Sequence, residues 1–265
     1  MNDNPVNLAD YPLDEPEGPV YSTLVEASSQ ALRQDGFLNL DGFLTSAGVK
    51  RLMADVECLL PSAHRSCRHD NAYGATPSDD LPADHPYRIL SPTDRYGLAY
   101  HQMRGTALDT LYVWPPLRQF VADITRHQAL YLHEDPSNAL VLQVYKTGGG
   151  LAWHFDQAQF STILNLSETE AGGVFEYAVN IRSADDPRYD DVRDVLLERS
   201  DKVRHVHARR GSLSIIYGRH TLHRVTVIEG PSSRSSVVLS YEDRPGVRMD
   251  VETRRKLFGP TAPMD

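Results

Sequence analysis

The chain has 265 residues, 40% apolar and 24% charged, with a formal net charge of −9. That length supplies one large domain with a real core, or at most two small ones. The acidic balance argues against nucleic acid as a partner, because such binding rests on neutralising phosphates, and no apolar run is long enough for a membrane span.

Residues 1–20 are acidic and carry Pro5, Pro12, Pro16 and Pro19, which predicts an extended arm. They lack the basic start and apolar stretch of a secretory signal, so the chain reads as cytoplasmic. A helix is expected over 22–34, with Leu24, Ala27, Ala31 and Leu32 on one side and Gly36 as the stop. Residues 37–40 form a short strand. Thr45 caps a second helix over 46–60, where Val49, Leu52, Met53, Val56 and Leu60 fall at helical spacing. Cys58 lies in that run and is expected to be buried. With Cys67 it makes neither a disulfide framework nor a four-thiolate zinc site. Residues 61–100 read as a long loop whose aromatic and arginine content suits a pocket wall. Helix returns over 106–130, broken at Pro115-Pro116.

From residue 139 the pattern changes to short strands: 139–145, 160–166, 174–179, 203–207, 213–217, 223–228 and 235–241. Turn signals such as Gly148-Gly149-Gly150, Gly172-Gly173 and Gly230-Pro231 separate them. A helix near 189–197 interrupts the series within an insert at 183–200. The basic cluster from His205 to Arg210 reads as a solvated strand end. This spacing predicts a mainly β fold, a double-sheet jelly roll of cupin-like form with the N-terminal helices on one outer face. The domain layout is then a single unit over 1–265. It comprises the arm at 1–20, a helical and loop-rich part at 21–138, the jelly-roll core at 139–245 and a tail at 246–265.

The chemistry concentrates at Trp153-His154-Phe155-Asp156, after a strand and a glycine turn. In extended chain, residues i and i+2 point to one side, so His154 and Asp156 can share a metal ion. One imidazole and one carboxylate are two-thirds of the facial triad of non-haem Fe(II) oxygenases. The third ligand comes from His220 or His223. His223 is preferred, because it opens an apolar alternation with Val225 and Val227 that faces the barrel interior. Arg234 lies beyond the Gly230 turn, on a strand expected to run antiparallel beside it, where a guanidinium can grip a carboxylate. A second His-x-Asp at His133-Glu134-Asp135 precedes Pro136 and reads as an exposed charged turn.

Together with Gly172-Gly173-Val174-Phe175-Glu176-Tyr177 and Gly218-Arg219-His220-Thr221-Leu222-His223, these segments resemble the Fe(II)/2-oxoglutarate-dependent oxygenases. Within them, the likeness is to the group that holds the free amino-acid radical halogenases and their hydroxylase relatives. It is strong over 139–245 and loose before that, through Asp135-Pro136 and His85-Pro86-Tyr87-Arg88. The resemblance implies a double-stranded β-helix with Fe(II) on His154, Asp156 and His223. It implies 2-oxoglutarate on Arg234, with Tyr145 as a further contact, and O2 as cosubstrate. Its halogenases carry glycine or alanine where Asp156 stands, so Asp156 implies hydroxylation of a free amino acid or similar small polar metabolite. Arg88 is a candidate for a substrate carboxylate. Gln157 stands where lysine-acting relatives carry an acid, which implies a different substrate. Phe258 either closes the pocket or packs in the core.

Desaturation, cyclisation and C–C cleavage are outcomes open to the same site. A non-enzymatic metal-binding jelly roll is disfavoured by the complete ligand set. A zinc hydrolase is disfavoured because no general base accompanies it. No pattern that sets an oligomeric state is visible.

Overall fold

Two antiparallel sheets face one another across a cavity in the computed structural model, which describes residues 4–179, 181–259 and 262–263. Of the predicted arm, residues 1–3 lie outside the described residues; of the predicted tail, 260, 261, 264 and 265 do. The helices are α1 (Pro19–Asp35), α2 (Ser46–Leu59), α3 (Tyr100–Met103), α4 (Ala107–Tyr112), α5 (Pro115–Thr125), α6 (Tyr189–Leu196) and α7 (Val251–Phe258).

Seven strands make the larger sheet. In chain order they are β1 (Phe37–Leu40), β2 (His64–Asp70), β3 (Ser91–Leu98), β5 (Leu140–Tyr145), β7 (Ser161–Asn165), β10 (Leu213–Ile216) and β12 (Arg234–Leu239). Their spatial order is β1-β10-β7-β12-β5-β3-β2. The smaller sheet takes β6 (Leu151–His154), β8 (Phe175–Ala178), β9 (Arg204–Val206) and β11 (Leu222–Val225) in the order β6-β11-β8-β9. β4 (Tyr131–Leu132) and β13 (Tyr241–Glu242) form a separate pair.

Period-two alternation divides the larger sheet into two faces. Leu140, Leu142 and Val144 of β5 and Val237 and Leu239 of β12 join the core shared with the helices, where Leu32, Leu52, Val56 and Phe120 are buried. The intervening residues Val141, Gln143, Tyr145, Arg234, Ser236 and Val238 line the cavity. The predicted jelly roll with helices on one outer face is the fold observed.

Several local expectations need correction. Helix α1 starts at Pro19, whose ring suits the first helical turn, and it buries Tyr21, Ser28, Ser29 and Leu32 while Ala27 is exposed. Cys58 is exposed, because it sits two residues past the buried Val56, on the far side of α2. The predicted loop at 61–100 contains the β2–β3 hairpin, paired from His64↔Gly97 to Asp70↔Ser91. β2 reads His-Arg-Ser-Cys-Arg-His-Asp, so no apolar alternation announces it. The tail carries α7, capped by Asp250, whose carboxylate accepts the Thr253 amide at 2.8 Å.

The His133-Glu134-Asp135 segment is also not the exposed turn expected. Asp135 is fully buried and His133 nearly so. The Asp135 carboxylate accepts the Ser137 and Asn138 amides at 2.8 and 3.0 Å, the Met249 amide at 3.0 Å and Arg254 Nη2 at 2.6 Å. Burial by itself would raise this carboxyl, but those donors outweigh it and hold it below its usual range. The ion pair fastens α7 to the barrel, and α7 brings Leu257 and Phe258 to the cavity wall.

Candidate metal centre

The register of the smaller sheet sets His223 of β11 directly opposite His154 of β6. Their ring centroids lie 4.1 Å apart. Asp156 follows two residues after β6 ends, and its amide donates to the Gly218 carbonyl at 3.1 Å. Its carboxylate lies between the rings: Oδ1 is 3.4 Å from His154 Nε2 and Oδ2 is 3.5 Å from His223 Nε2. Ser161 Oγ donates to Oδ2 at 2.6 Å. Ligand atoms of His154, Asp156 and His223 all fall within 4.8 Å of one another.

Gly218 makes this possible. A Cβ there would lie 2.2 Å from Asp156 Oδ2, so any side chain would displace the carboxylate. His220, the alternative third ligand, is not in the cluster. Val225 is buried as expected beside His223, but Val227 lies beyond the end of β11 and is half exposed.

Each imidazole is held by its own backbone. His154 Nδ1 bonds the Ala152 carbonyl at 2.9 Å, and His223 Nδ1 bonds the Thr221 carbonyl at 2.9 Å. A carbonyl only accepts, so Nδ1 carries a proton in both rings and Nε2 is the nitrogen turned toward the carboxylate. Two neutral rings would face the anion with bare lone pairs and repel it, so positive charge belongs between them, as a proton on Nε2 or a metal ion in its place. The donor set N, N, O therefore fits a divalent transition metal with open positions. Burial raises the cost of the Asp156 charge, yet the two imidazoles outweigh it and hold this carboxyl well below the usual carboxylate range. Burial lowers His154, and the adjacent His223 adds to that shift. His223 itself is raised, because Asp156 overcomes the desolvation that would lower it.

The cavity beside the triad has a volume of about 250 Å³, the scale of a small-molecule site. Arg234 reaches it from the larger sheet, not from a strand paired with β11: it lies opposite Tyr145, in β12 beside β5. The chain after Gly230 crosses between sheets instead of returning as a hairpin. Arg234 is buried, with Nη1 on Ser236 Oγ at 3.0 Å and Nη2 on Asn165 Oδ1 at 2.9 Å. Its partners are neutral, and burial lowers its pKa. Tyr145 is buried beside it, 5.8 Å from ring centre to guanidinium carbon, and its hydroxyl donates to Gln143.

Gln157 and Phe258 both line the cavity. Arg88 does not. Its Nη1 donates to the Leu81 carbonyl at 2.6 Å and its Nη2 pairs with Asp79 at 3.3 Å. No cavity-lining residue comes from 71–90 among the described residues. Tyr73 instead packs on Phe155 at 5.3 Å, so this loop supports the wall from behind.

Several polar residues at the site escaped the sequence reading, Ser161, Asn165, Ser236 and Arg95 among them. Ser161 and Asn165 hold Asp156 and Arg234, and both sit in β7, every residue of which is buried. Polar residues at both ends of a strand centred on Ile163 and Leu164 were the available signal. Arg95 lines the cavity from β3, inside the stretch read as loop.

The halogenase D family matches residues 20–259 of the chain. A search of curated protein sequences returns no match. Among solved structures, the carbocyclase SnoK of nogalamycin biosynthesis, described as non-haem and α-ketoglutarate-dependent, superposes with a TM-score of 0.61. That alignment has 15% identity and covers 87% of this chain and 90% of SnoK. A 2OG-Fe(II) oxygenase family protein from Burkholderia pseudomallei gives 0.55 at 12% identity, over 84% and 92%. HygX from Streptomyces hygroscopicus, solved with nickel, 2-oxoglutarate and hygromycin B, gives 0.56 at 11%, over 82% and 86%. These structural likenesses are of fold.

Proposed function

Since this chain belongs to the halogenase D family of the Fe(II)/2-oxoglutarate oxygenases, we propose that it hydroxylates an unactivated C–H bond of a free amino acid or similar small polar metabolite. The observation that carries hydroxylation over halogenation is the Asp156 carboxylate, held between two imidazoles and tied to Ser161. A glycine or alanine at this position would leave room for a halide, and Asp156 fills it.

His154, Asp156 and His223 would hold the iron on one face. Bound there with 2-oxoglutarate and O2, iron supplies the oxidising chemistry, and the protein supplies position. Arg234 would pair with the distal carboxylate of 2-oxoglutarate. Asn165 and Ser236 fix its guanidinium plane for that contact, with Tyr145 beside it. The larger sheet keeps this arginine out of water, so a carboxylate gains more from it than from a surface cation. Gln157 borders the space left for the substrate. Arg88, occupied by Leu81 and Asp79, would need to break both contacts to reach it. We read residues 1–265 as one oxygenase domain. Among the described residues, no helix is long and apolar enough to cross a membrane.

The deciding experiment is a mass-spectrometric screen of amino acids and small metabolites with Fe(II), 2-oxoglutarate and O2. The expected product is the substrate plus one oxygen, with matching succinate. A product lacking two hydrogens would move the assignment to desaturation or cyclisation, the second reading; it draws support from the carbocyclase of the same fold. No succinate at all would refute the oxygenase reading.

A further inference from the structure

We propose that Arg95 forms a second carboxylate-binding position in the cavity, and that it receives the carboxylate of the substrate. This rests on the oxygenase reading, which commits Arg234 to the cosubstrate.

Arg95 lies on the inner face of β3 and is only 4% exposed. Its Nη1 is sealed from solvent and has no hydrogen-bond partner. Its guanidinium lies over Gly97, where a Cβ would come within 2.6 Å of Nη1. The bare glycine thus leaves room for the Nη1 end of the group against the backbone of its own strand. The nearest charges do not neutralise it. Arg68, also at the cavity, bonds Asp70 and Ser66, and Asp70 is shared again with Lys256 at 2.7 Å. One carboxylate therefore serves a corner that holds three cations. Burial pulls Arg95 down to about 10, and Arg68 pushes in the same direction, while Tyr145 and Asp70 oppose it.

A buried cation without its own counter-ion is costly to keep, and a cavity wall is where a ligand can supply the missing charge. Arg234 shows the contrast. It too lacks a carboxylate, but both of its terminal nitrogens are bonded. Arg95 lines the cavity without such partners, and the planar fork beyond its sealed Nη1 suits a second carboxylate, which an amino-acid substrate brings.

The test needs no knowledge of the substrate. Thermal unfolding of the full chain in sodium acetate, against sodium chloride at equal ionic strength, reads carboxylate binding by linkage. The wild type is expected to gain Tm in acetate; Arg95→Met and Arg234→Met each lose about half of the gain, and the double variant loses all of it. Arg95→Lys retains part, since it keeps the charge and loses the fork. A full acetate response in Arg95→Met overturns the proposal. In chloride, Arg95→Met is expected to melt no lower than wild type, because it removes an unpaired buried charge; a Tm loss of more than about 4 °C marks Arg95 as structural and also overturns it. Titration with 2-oxoglutarate separates the two sources of carboxylate. Arg95→Met should keep the wild-type Kd within about twofold, while Arg234→Met weakens it more than about tenfold. A tenfold loss in Arg95→Met would instead assign the position to the cosubstrate. If the wild type binds no 2-oxoglutarate, the oxygenase reading fails, and the acetate experiment still decides whether Arg95 binds carboxylate.

Discussion

The chain contains His-x-Asp twice, and the two copies have opposite fates. At 154–156 the pair faces a third side chain across a sheet and turns the Nε2 atoms of two rings toward one carboxylate. At 133–135 the same letters build an anchor. There His133 Nδ1 accepts the Asp135 amide at 3.0 Å, so its lone pair is spent on its own backbone and its proton sits on Nε2. Burial lowers the His133 pKa and keeps the ring neutral. Its Nε2 lies 3.7 Å from Glu242, whose carboxyl burial raises, so that contact is not an ion pair of full charges. Asp135 is buried and Asp156 half-buried, and both are pulled below the usual range, Asp156 by imidazoles and Asp135 by amides and a guanidinium. The difference lies in the partner. An imidazole pair leaves a gap that a cation can fill; Arg254 fills the gap itself, at 2.6 Å.

That contrast breaks most visibly in activity. Asp156→Gly should cut hydroxylation by more than about 100-fold, beyond the effect of outer partners, while leaving Tm near wild type. Product mass spectrometry checks it, and full activity in this variant would remove the carboxylate from the site. Asp135→Ala should do the reverse. It strands Arg254 in the interior and should cost about 3–5 kcal/mol of stability by urea unfolding, with metal stoichiometry at 25 °C unchanged. Gly218→Ala comes next: its Cβ pushes on Asp156, and metal affinity should fall by roughly 10–100-fold in a competition titration. The smallest effect concerns acid. Because the folded-state pKa of Asp135 is depressed, its contribution is present above the ordinary value of 3.8 and is lost as pH falls through the lowered one. The stability gap between wild type and Asp135→Asn should therefore be flat near neutrality and close below about pH 4. A gap that widens with acid would mean that the sign is wrong.

What could be read from the sequence follows the same division. The core strands were legible because apolar residues alternate in them, and the triad was legible because two of its members are close in sequence and the third opens a strand. Asp135 was misread because its counter-ion lies 119 residues away, in a helix with too little apolar pattern to announce itself. Arg88 and Arg95 were not separable by letters alone. One is occupied by a loop carbonyl and the other lies against Gly97, and only the hairpin register tells them apart.

The outermost strand of the larger sheet has one more consequence. Among the described residues β2 has one strand neighbour, and five of its seven residues are histidine, arginine or aspartate: His64, Arg65, Arg68, His69 and Asp70. Arg65 is already paired outward with Asp94 at 2.7 Å, and Lys256 of α7 leans on Asp70. A second chain trying to add itself along this border would have to strip water from a row of charges. The polarity that hid the strand from pattern reading is thus also its guard against edge-to-edge aggregation.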